Sequence, residues 1–270
     1  LNAYLRCALV TDELLDLAQR AARAAGELLR ERFSRPAEGV SAKSTPTDPV
    51  SDADRASDEL LVDLISAERP NDGFVTEESE GRESGSGLSW VLDPLDATVN
   101  FLFGLPWWCV SVAVEDERGG VAGAIYNPNV DEMFTAARGE GAFLNGSPMH
   151  VSDRDEIAKA LVGTGFSYDS GAREVQAQIA ARVIPRARDL RRAGSAALDL
   201  AHLACGRLDG FYEAPLEHWD KAAGLLMISE AGGMITELPG PRGLTDGAIA
   251  SNPKLHEALV KLVLGEGDIG

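Results

Sequence analysis

The stretch Trp90-Val91-Leu92-Asp93-Pro94-Leu95-Asp96-Ala97-Thr98-Val99-Asn100-Phe101 decides how this chain is read. Val91 and Leu92 have the character of a buried strand end, Pro94 has no N–H to give a ladder, and Asp96-Ala97-Thr98 has the composition of a helix start. The segment predicts a strand ending near Leu92 and a tight turn into a helix. Asp93 and Asp96, with the Leu95 carbonyl between them, offer hard oxygen ligands for Mg²⁺, and the N–H groups of Ala97 and Thr98 can hold a phosphate oxygen. The same residues also suit an Asx-type turn that only caps a helix. Ligands from elsewhere in the chain have to separate the two readings.

Upstream, Leu14, Ala18, Ala21, Ala25, Leu28 and Leu29 recur at helical spacing and predict a long amphipathic helix over 11–33. Residues 34–49, rich in Ser, Thr and Pro, read as an exposed loop or short hairpin carrying Lys43. A second helix is predicted over 51–69, with Leu60, Leu61, Leu64 and Ile65 as its apolar stripe and Pro70-Asn71-Asp72-Gly73 as its stop. Phe74-Val75-Thr76 is a short strand running into Glu77-Glu78-Ser79-Glu80, so acid collects at a second strand end.

Downstream, 107–114, 121–126, 133–136 and 141–144 read as short strands joined by Gly, Asn and Pro turns, an antiparallel meander. Beyond about residue 157 the rhythm changes to alternating elements: a strand near Leu161, a helix over 173–184, a strand over 189–191, a helix opened by Gly194-Ser195-Ala196-Ala197 and closed by Gly206, a strand over 208–213, a helix over 219–231, and strands over 234–238 and 248–250. The expected fold class is an α+β or α/β layered sandwich, α-β-α-β-α, with an antiparallel N-terminal sheet and a second, mixed sheet between helix layers. Two domains are expected: residues 1–153, carrying most of the acids, and residues 154–270, completing the site. No internal repeat is present.

With 270 residues, 44% hydrophobic and 25% charged, the chain has ordinary globular composition. Its net charge of −18 argues against a nucleic-acid partner, which would need clustered Lys and Arg. An anionic substrate would need a cation as intermediary. Cys7, Cys109 and Cys205 are far apart in apolar company, and His150, His202, His218 and His256 lack zinc spacing, so neither a disulfide framework nor a zinc site is indicated. A reducing compartment, the cytoplasm, is expected. No apolar run reaches the length of a membrane span, so no membrane partner is expected.

Four carboxylates from separate elements could meet in one cleft: Glu77, Asp93, Asp96, and Asp220 at a helix start behind Trp219. Two divalent ions about 4 Å apart need several carboxylates, one of them bridging, and such a pair activates water and steadies the leaving oxygen in phosphoryl displacement. Each acid also has a plainer reading, Glu77 as one of four on a solvated loop and Asp220 as a helix-start acid favoured by the dipole. Asp54 stands at capping-box distance from Ser51 and is fully explained by that. Gly194-Ser195-Ala196 could present bare N–H groups to a ligand, and Glu213 could accept hydrogen bonds from a polyol or simply lie on the surface.

Taken together, these motifs resemble the inositol monophosphatase family, the Mg²⁺-dependent, lithium-sensitive phosphatases, over nearly the whole chain. Trp90 to Phe101 is similar to the family's Trp-x-x-Asp-Pro-Ile-Asp-Gly-Thr-x-Asn-Phe, and Glu217-His218-Trp219-Asp220-Lys221-Ala222-Ala223-Gly224 to its Trp-Asp-x-Ala-Ala-Gly signature. Asp48-Pro49-Val50-Ser51-Asp52-Ala53-Asp54, Thr76-Glu77-Glu78-Ser79, Gly141-Ala142-Phe143-Leu144-Asn145-Gly146, Gly194-Ser195-Ala196-Ala197 and Tyr212-Glu213 also match family positions. The run from Arg191 to Leu200 looks most like bacterial inositol-1-monophosphatases.

The resemblance implies roles. Two or three Mg²⁺ ions are implied: Glu77, Asp93 and the Leu95 carbonyl would hold the first, and Asp93, Asp96 and Asp220 the second. Thr98 would orient the attacking water with Glu77 and Asp54, the Asp54 carboxylate accepting the Thr98 hydroxyl hydrogen. Ala97 and Thr98 would bind phosphate through their N–H groups, while Asp96, Gly194, Ser195, Ala196, Glu213 and Asp220 would face the substrate alcohol. The implied activity is hydrolysis of an inositol phosphate to inositol and phosphate, by a homodimer. Histidinol phosphate, fructose 1,6-bisphosphate or a phosphoadenosine phosphate would be alternative substrates, and a metal-dependent interaction protein without turnover an alternative of another class.

Three positions depart from the family pattern: Ala97 stands for Gly, Thr76 for Gly, and Phe103 for a frequent His. At position 97 any residue with a Cβ must keep φ negative or accept roughly 1 kcal/mol or more of backbone strain.

Overall fold

The computed structural model describes residues 3–33, 38–42 and 49–266. Lys43 lies outside the described residues, as do the others of 43–48. The chain opens with α1 (Ala3–Phe33), which begins earlier than the apolar periodicity suggested. A two-residue antiparallel pair, β1 (Ser41–Ala42) and β2 (Pro49–Val50), leads into α2 (Asp52–Glu68).

The first sheet has seven strands in chain order: β3 (Gly73–Thr76), β4 (Ser89–Asp96), β5 (Cys109–Asp116), β6 (Gly119–Asn127), β7 (Glu132–Ala137), β8 (Gly141–Leu144) and β9 (Ser147–Met149). It corrects the expected antiparallel sheet at one edge, because β3 pairs with β4 in parallel. The loop after Thr76 carries the chain back along the sheet before β4 starts, and both strands then point their C-terminal ends, Thr76 and Asp96, the same way. β9 was not foreseen, although Asn145-Gly146 is a strong hairpin signal; both residues have positive φ, 49° and 77°.

A second correction concerns the decisive segment. β4 does not end at Leu92 but runs on through Pro94 to Asp96, with a register shift between Asp93 and Asp96. A bulge of this kind is where a strand tolerates proline, since no ladder N–H is needed there. The Pro94 carbonyl is not wasted: it accepts the Ser57 hydroxyl of α2 at 2.7 Å. The short α3 (Thr98–Leu102) follows, and β5 starts at Cys109 rather than 107 because Trp107 and Trp108 belong to the turn. There Trp108 packs edge-on against Phe101 at 5.1 Å.

The second sheet is mixed, in the order β11-β10-β12-β14-β13, built from β10 (Leu161–Thr164), β11 (Asp189–Arg191), β12 (Gly210–Glu213), β13 (Met234–Leu238) and β14 (Gly247–Ser251). β10 is parallel to both β11 and β12, and β14 is antiparallel to its two neighbours. The remaining helices are α4 (Ser170–Val183), α5 (Ala196–Ala204), α6 (His218–Glu230) and α7 (His256–Leu264). α4 starts three residues before the predicted helix, because Asp169 caps it by accepting the Ala172 N–H at 2.7 Å.

Side-chain alternation sorts the strands into layers. Trp90 and Leu92 of β4, with Val110, Val112 and Val114 of β5, pack against α1 and α2, whereas Val91, Cys109 and Ala113 face the opposite way against α5 and α6. Phe211 and Ala250 of the second sheet close that middle layer from its other side, and Tyr212 and Ile249 face an outer core with Leu259 and Val263 of α7. The result is a layered α-β-α-β-α sandwich.

Candidate active site

Most of the sequence-predicted site residues line one cleft of about 690 Å³, opened where the C-terminal end of β4 meets the ends of β12 and the starts of α5 and α6. Glu77, Asp93, Leu95, Asp96, Ala97, Thr98, Gly194, Ala196, Glu213 and Asp220 all reach it. Asp54 and Ser195 do not. Both are buried, 0% and 1% exposed, and act through a neighbour rather than on a ligand.

Asp54 fulfils both of its readings at once. One oxygen closes the capping box, accepting the Ser51 N–H at 2.8 Å and the Ser51 hydroxyl at 2.6 Å. The other accepts the Thr98 hydroxyl at 2.8 Å. The helix cap thus fixes the carboxylate that orients Thr98, and the Thr98 oxygen keeps its lone pairs for a proton from elsewhere.

Asp96 is held by the second half of the chain. The Ser195 hydroxyl donates to its Oδ2, the Ala197 N–H donates to the same oxygen at 2.9 Å, and the Cys109 thiol lies 3.6 Å from it. These donors converge on Oδ2 and leave Oδ1 to other partners. The Ser195 side chain thus positions Asp96, with its Oγ also accepting the Leu198 N–H as the cap of α5. Cys109 went unnoticed in the sequence because a thiol on a buried strand carries no local signal.

The turn before α5 is set by Gly194, at φ 95°. A Cβ there would come within 3.1 Å of the Asn100 amide, which itself donates to the Trp107 carbonyl at 2.7 Å and the Ala193 carbonyl at 2.9 Å. Asn100 of the first motif thereby ties the two sheets together beside the cleft. Asp220 sits at the third position of α6 and accepts the Glu217 N–H at 2.7 Å, the plain helix-start role, while lining the cleft as well.

Gly165 makes room for Glu213. A Cβ on it would fall 1.9 Å from Glu213 Oε1. Burial and then the charge of Asp199 push the Glu213 carboxyl up to about 8. Burial, Glu77 and Asp96 raise Asp220 well above the usual carboxylate range, and burial raises Asp96 despite its hydrogen bonds. Acceptor-only oxygens crowded in this way fit a cation, which would neutralise the repulsion that lifts them. Among the described residues, no three His, Cys, Asp or Glu side chains already close on a single point as a finished cage. The donor set, hard oxygens around an open cleft, nonetheless suits Mg²⁺, which keeps water in its shell and takes few protein ligands.

Ala97 lies in the left-handed region, φ 77° and ψ 49°, at the N-terminal edge of α3. Of the two options open to a residue with a Cβ, the chain takes the strained one. Thr76 uses its hydroxyl to donate to Asp58, and Phe103 is 80% exposed, outside the cleft. The sequence reading also passed over Trp219 as a wall of the cleft and over residues 166–168 and 243–245, loops brought to its rim only by the tertiary fold.

This arrangement of strand-end carboxylates, a capped Thr and a glycine turn is that of a phosphatase family, and the comparisons agree. The inositol monophosphatase family profile matches residues 10–266, and the chain belongs to that family. It is 39% identical to an inositol-1-monophosphatase of Mesorhizobium japonicum over 93% of this chain and 96% of that one. To the Nus factor SuhB of Escherichia coli it is 36% identical, over 92% and 94%. The structure of the extragenic suppressor protein suhB from Bartonella henselae superposes with a TM-score of 0.87 at 38% identity, covering 94% of this chain and all of that one, 100%.

Proposed function

We propose that the chain is a Mg²⁺-dependent phosphate monoester hydrolase whose substrate is inositol 1-phosphate. One observation carries the reading: Thr98 stands between the Asp54 carboxylate and the cleft with its hydrogen already donated. A water on its cleft side finds an acceptor in the Thr98 oxygen, which passes no charge to solvent because Asp54 is fully buried. Glu77, Asp93 and the Leu95 carbonyl would hold one Mg²⁺, and Asp93, Asp96 and Asp220 another. When bound, the ions supply a polarised water and neutralise the charge that builds on phosphate and leaving oxygen. The N–H groups of Ala97 and Thr98 hold the phosphate. Gly194, Ala196 and Glu213 face the alcohol, where a Glu213 carboxyl shifted to about 8 can both donate to and accept from a polyol hydroxyl. The 39% identity to a named inositol-1-monophosphatase supports the choice of substrate.

We further propose a homodimer in the cytoplasm, in keeping with the free thiols of Cys109 and Cys205. Among the described residues no helix is long and apolar enough to cross a membrane. A second reading, an interaction protein without turnover, is favoured by strained Ala97 and by relatives named Nus factor SuhB. Phosphate release from inositol 1-phosphate, fructose 1,6-bisphosphate, 3′-phosphoadenosine phosphates and histidinol phosphate, with Mg²⁺ and with added Li⁺, separates the two. The phosphatase reading expects Mg²⁺-dependent, Li⁺-inhibited release, fastest from the inositol ester. Release from none of them by folded protein would remove it, and preference for another ester would reassign the substrate.

A further inference from the structure

A second cavity, of about 60 Å³, lies beside α4 on the outer side of the second sheet. Thr164 of β10 and Tyr212 of β12 are register partners on parallel strands, and both line it. They are 2% and 3% exposed, and among the described residues neither hydroxyl has a hydrogen-bond partner. Thr164 stands close enough to temper the upward shift that burial gives the Tyr212 phenol, which stays an O–H donor. The remaining walls are mostly hydrocarbon, from Val175 and Ile179 of α4 and from Ala214, Leu238 and Pro239. Val175 and Pro239 are exposed, so the mouth opens to solvent between α4 and the end of β13.

The cavity adjoins the cleft. Glu213 and Gly165 line both, so the Glu213 carboxyl forms part of the partition between them. Gln176, another wall of the cavity, reaches the rim of the cleft: its Oε1 accepts the Ser167 N–H at 2.9 Å, and its Nε2 donates to the Ala214 carbonyl at 2.8 Å. An occupant therefore meets both Glu213 and the side chain that ties the cleft's rim loop to the end of β12. Two buried hydroxyls without partners favour a guest that answers them, whereas water would find few partners on the hydrocarbon walls. At roughly 10–15 Å³ per water, 60 Å³ admits about four waters, or a molecule of about four to six heavy atoms. None of the described residues lining the cavity is cationic, and the Glu213 carboxyl, pushed up to about 8, is mostly protonated at neutral pH, so the lining favours an uncharged guest.

We infer that this cavity is a regulatory site for a small uncharged molecule with an apolar body and one hydroxyl or carbonyl group, whose binding holds Glu213 at the cleft and tightens the grip on the substrate alcohol. The guest's oxygen meets Thr164 and Tyr212, and its hydrocarbon lies against α4 and β13. Filling the space behind Glu213 denies the carboxyl a retreat from the cleft, which lowers the cost of ordering it on the polyol. Coupling of this kind is reciprocal, so a polyol in the cleft also tightens the guest. The binding site stands on the cavity alone; its effect on the substrate rests on the phosphatase reading above.

Isobutanol, with five heavy atoms and one hydroxyl, is the probe, and isobutyrate is its charged counterpart. Titrating isobutanol into ¹⁵N-labelled protein should give saturable amide shifts centred on residues 164–165, 176 and 212–214, and isobutyrate should give none there. Thr164→Val with Tyr212→Phe keeps the shape, gives up no hydrogen bond and should leave stability in urea unchanged or higher, while weakening isobutanol about tenfold. Val175→Trp closes the mouth from an exposed position and should abolish the shifts. Absence of saturable shifts at these amides, equal affinity in the double variant, or equal binding of isobutyrate would each overturn the site. With the cavity saturated, KM for inositol 1-phosphate should fall about two- to threefold at little change in kcat, and should not move in Val175→Trp. An unmoved KM in saturated wild type would overturn the regulatory role. If wild type releases phosphate from no ester, the phosphatase reading fails by itself, and the amide shifts still decide whether the cavity binds its guest.

Discussion

Replacing Ala97 by Gly should leave the protein as stable as before or make it more stable, the reverse of what loss of a core-facing methyl does elsewhere. At φ 77° and ψ 49° an L-residue gives up roughly 1–2 kcal/mol that glycine does not. Against this, glycine widens the unfolded ensemble at a cost of about 0.4–1 kcal/mol. The half-buried methyl packs against the core under α1, and about half the value of a buried CH₂, ~0.4 kcal/mol, goes with it. The sum runs from about neutral to ~1 kcal/mol of stabilisation, or up to about 2–4 °C in Tm for a chain of this size. Ala97→Val supplies the counterpart, because a β-branched residue in the same region is a steric outlier and should fall at least about 2 kcal/mol below Ala97→Gly. Urea and thermal unfolding of the three proteins, with and without Mg²⁺, reads the order directly. An Ala97→Gly protein more than about 1 kcal/mol less stable than wild type, or an Ala97→Val protein equal to it, would refute the strain account.

Other expectations follow from the same geometry. Asp96→Asn and Asp220→Asn should each abolish phosphate release while leaving the far-ultraviolet spectrum and Tm near wild type, because each loses a charge and keeps its hydrogen-bond acceptor oxygen; retained turnover in either would remove that residue from the metal site. Gly165→Ala has no room for its Cβ beside Glu213 and should raise KM for a polyol phosphate several-fold by displacing the carboxyl, with phosphate product inhibition unchanged. His202 is buried, touches Trp107 edge-on at 5.0 Å, and is pushed down to about 4 by burial and Arg207. Its folded pKa lies below the unfolded value, so the stability it contributes is complete above pH 6.5 and lost as pH falls towards 4, on the order of 3 kcal/mol in all. His202→Phe should flatten that part of a stability-versus-pH profile, and an unaltered profile would show that another group titrates there.

Much of the site could be read from sequence because its acidic residues are local events. Glu77 follows the end of β3, Asp93 and Asp96 lie in the last residues of β4, and Asp54 and Asp220 sit in helix first turns, positions that periodicity and capping rules locate without tertiary knowledge. What escaped are relations between elements. Pro94 looked like the end of a strand because a bulge is invisible until the partner strand is known. The parallel pairing of β3 with β4 depends on where a loop returns, which its Gly and Ser residues do not specify. Ser195 and Cys109 acquired roles only from what lies opposite them, since Asp96 is 99 positions from Ser195 in the chain. Gly165 shows the same limit: its need for no side chain is set by Glu213 on the neighbouring strand of the second sheet.

The clamp on Asp96 also sets an order of events during synthesis. Its donors Ser195 and Ala197 lie 99 and 101 residues further on, so at about 5–20 residues per second they leave the ribosome roughly 5–20 s after it. For that interval every carboxylate of the β4 corner exists, but Asp96 has neither its hydroxyl nor its amide partner, and Asp220 has yet to be made. The acidic end of the cleft must stay hydrated until α5 docks, and only then is Oδ2 withdrawn from water. A nascent chain halted before residue 195 would therefore display the whole Asp-Pro-Leu-Asp motif and still lack the clamp that holds Asp96 in the folded cleft.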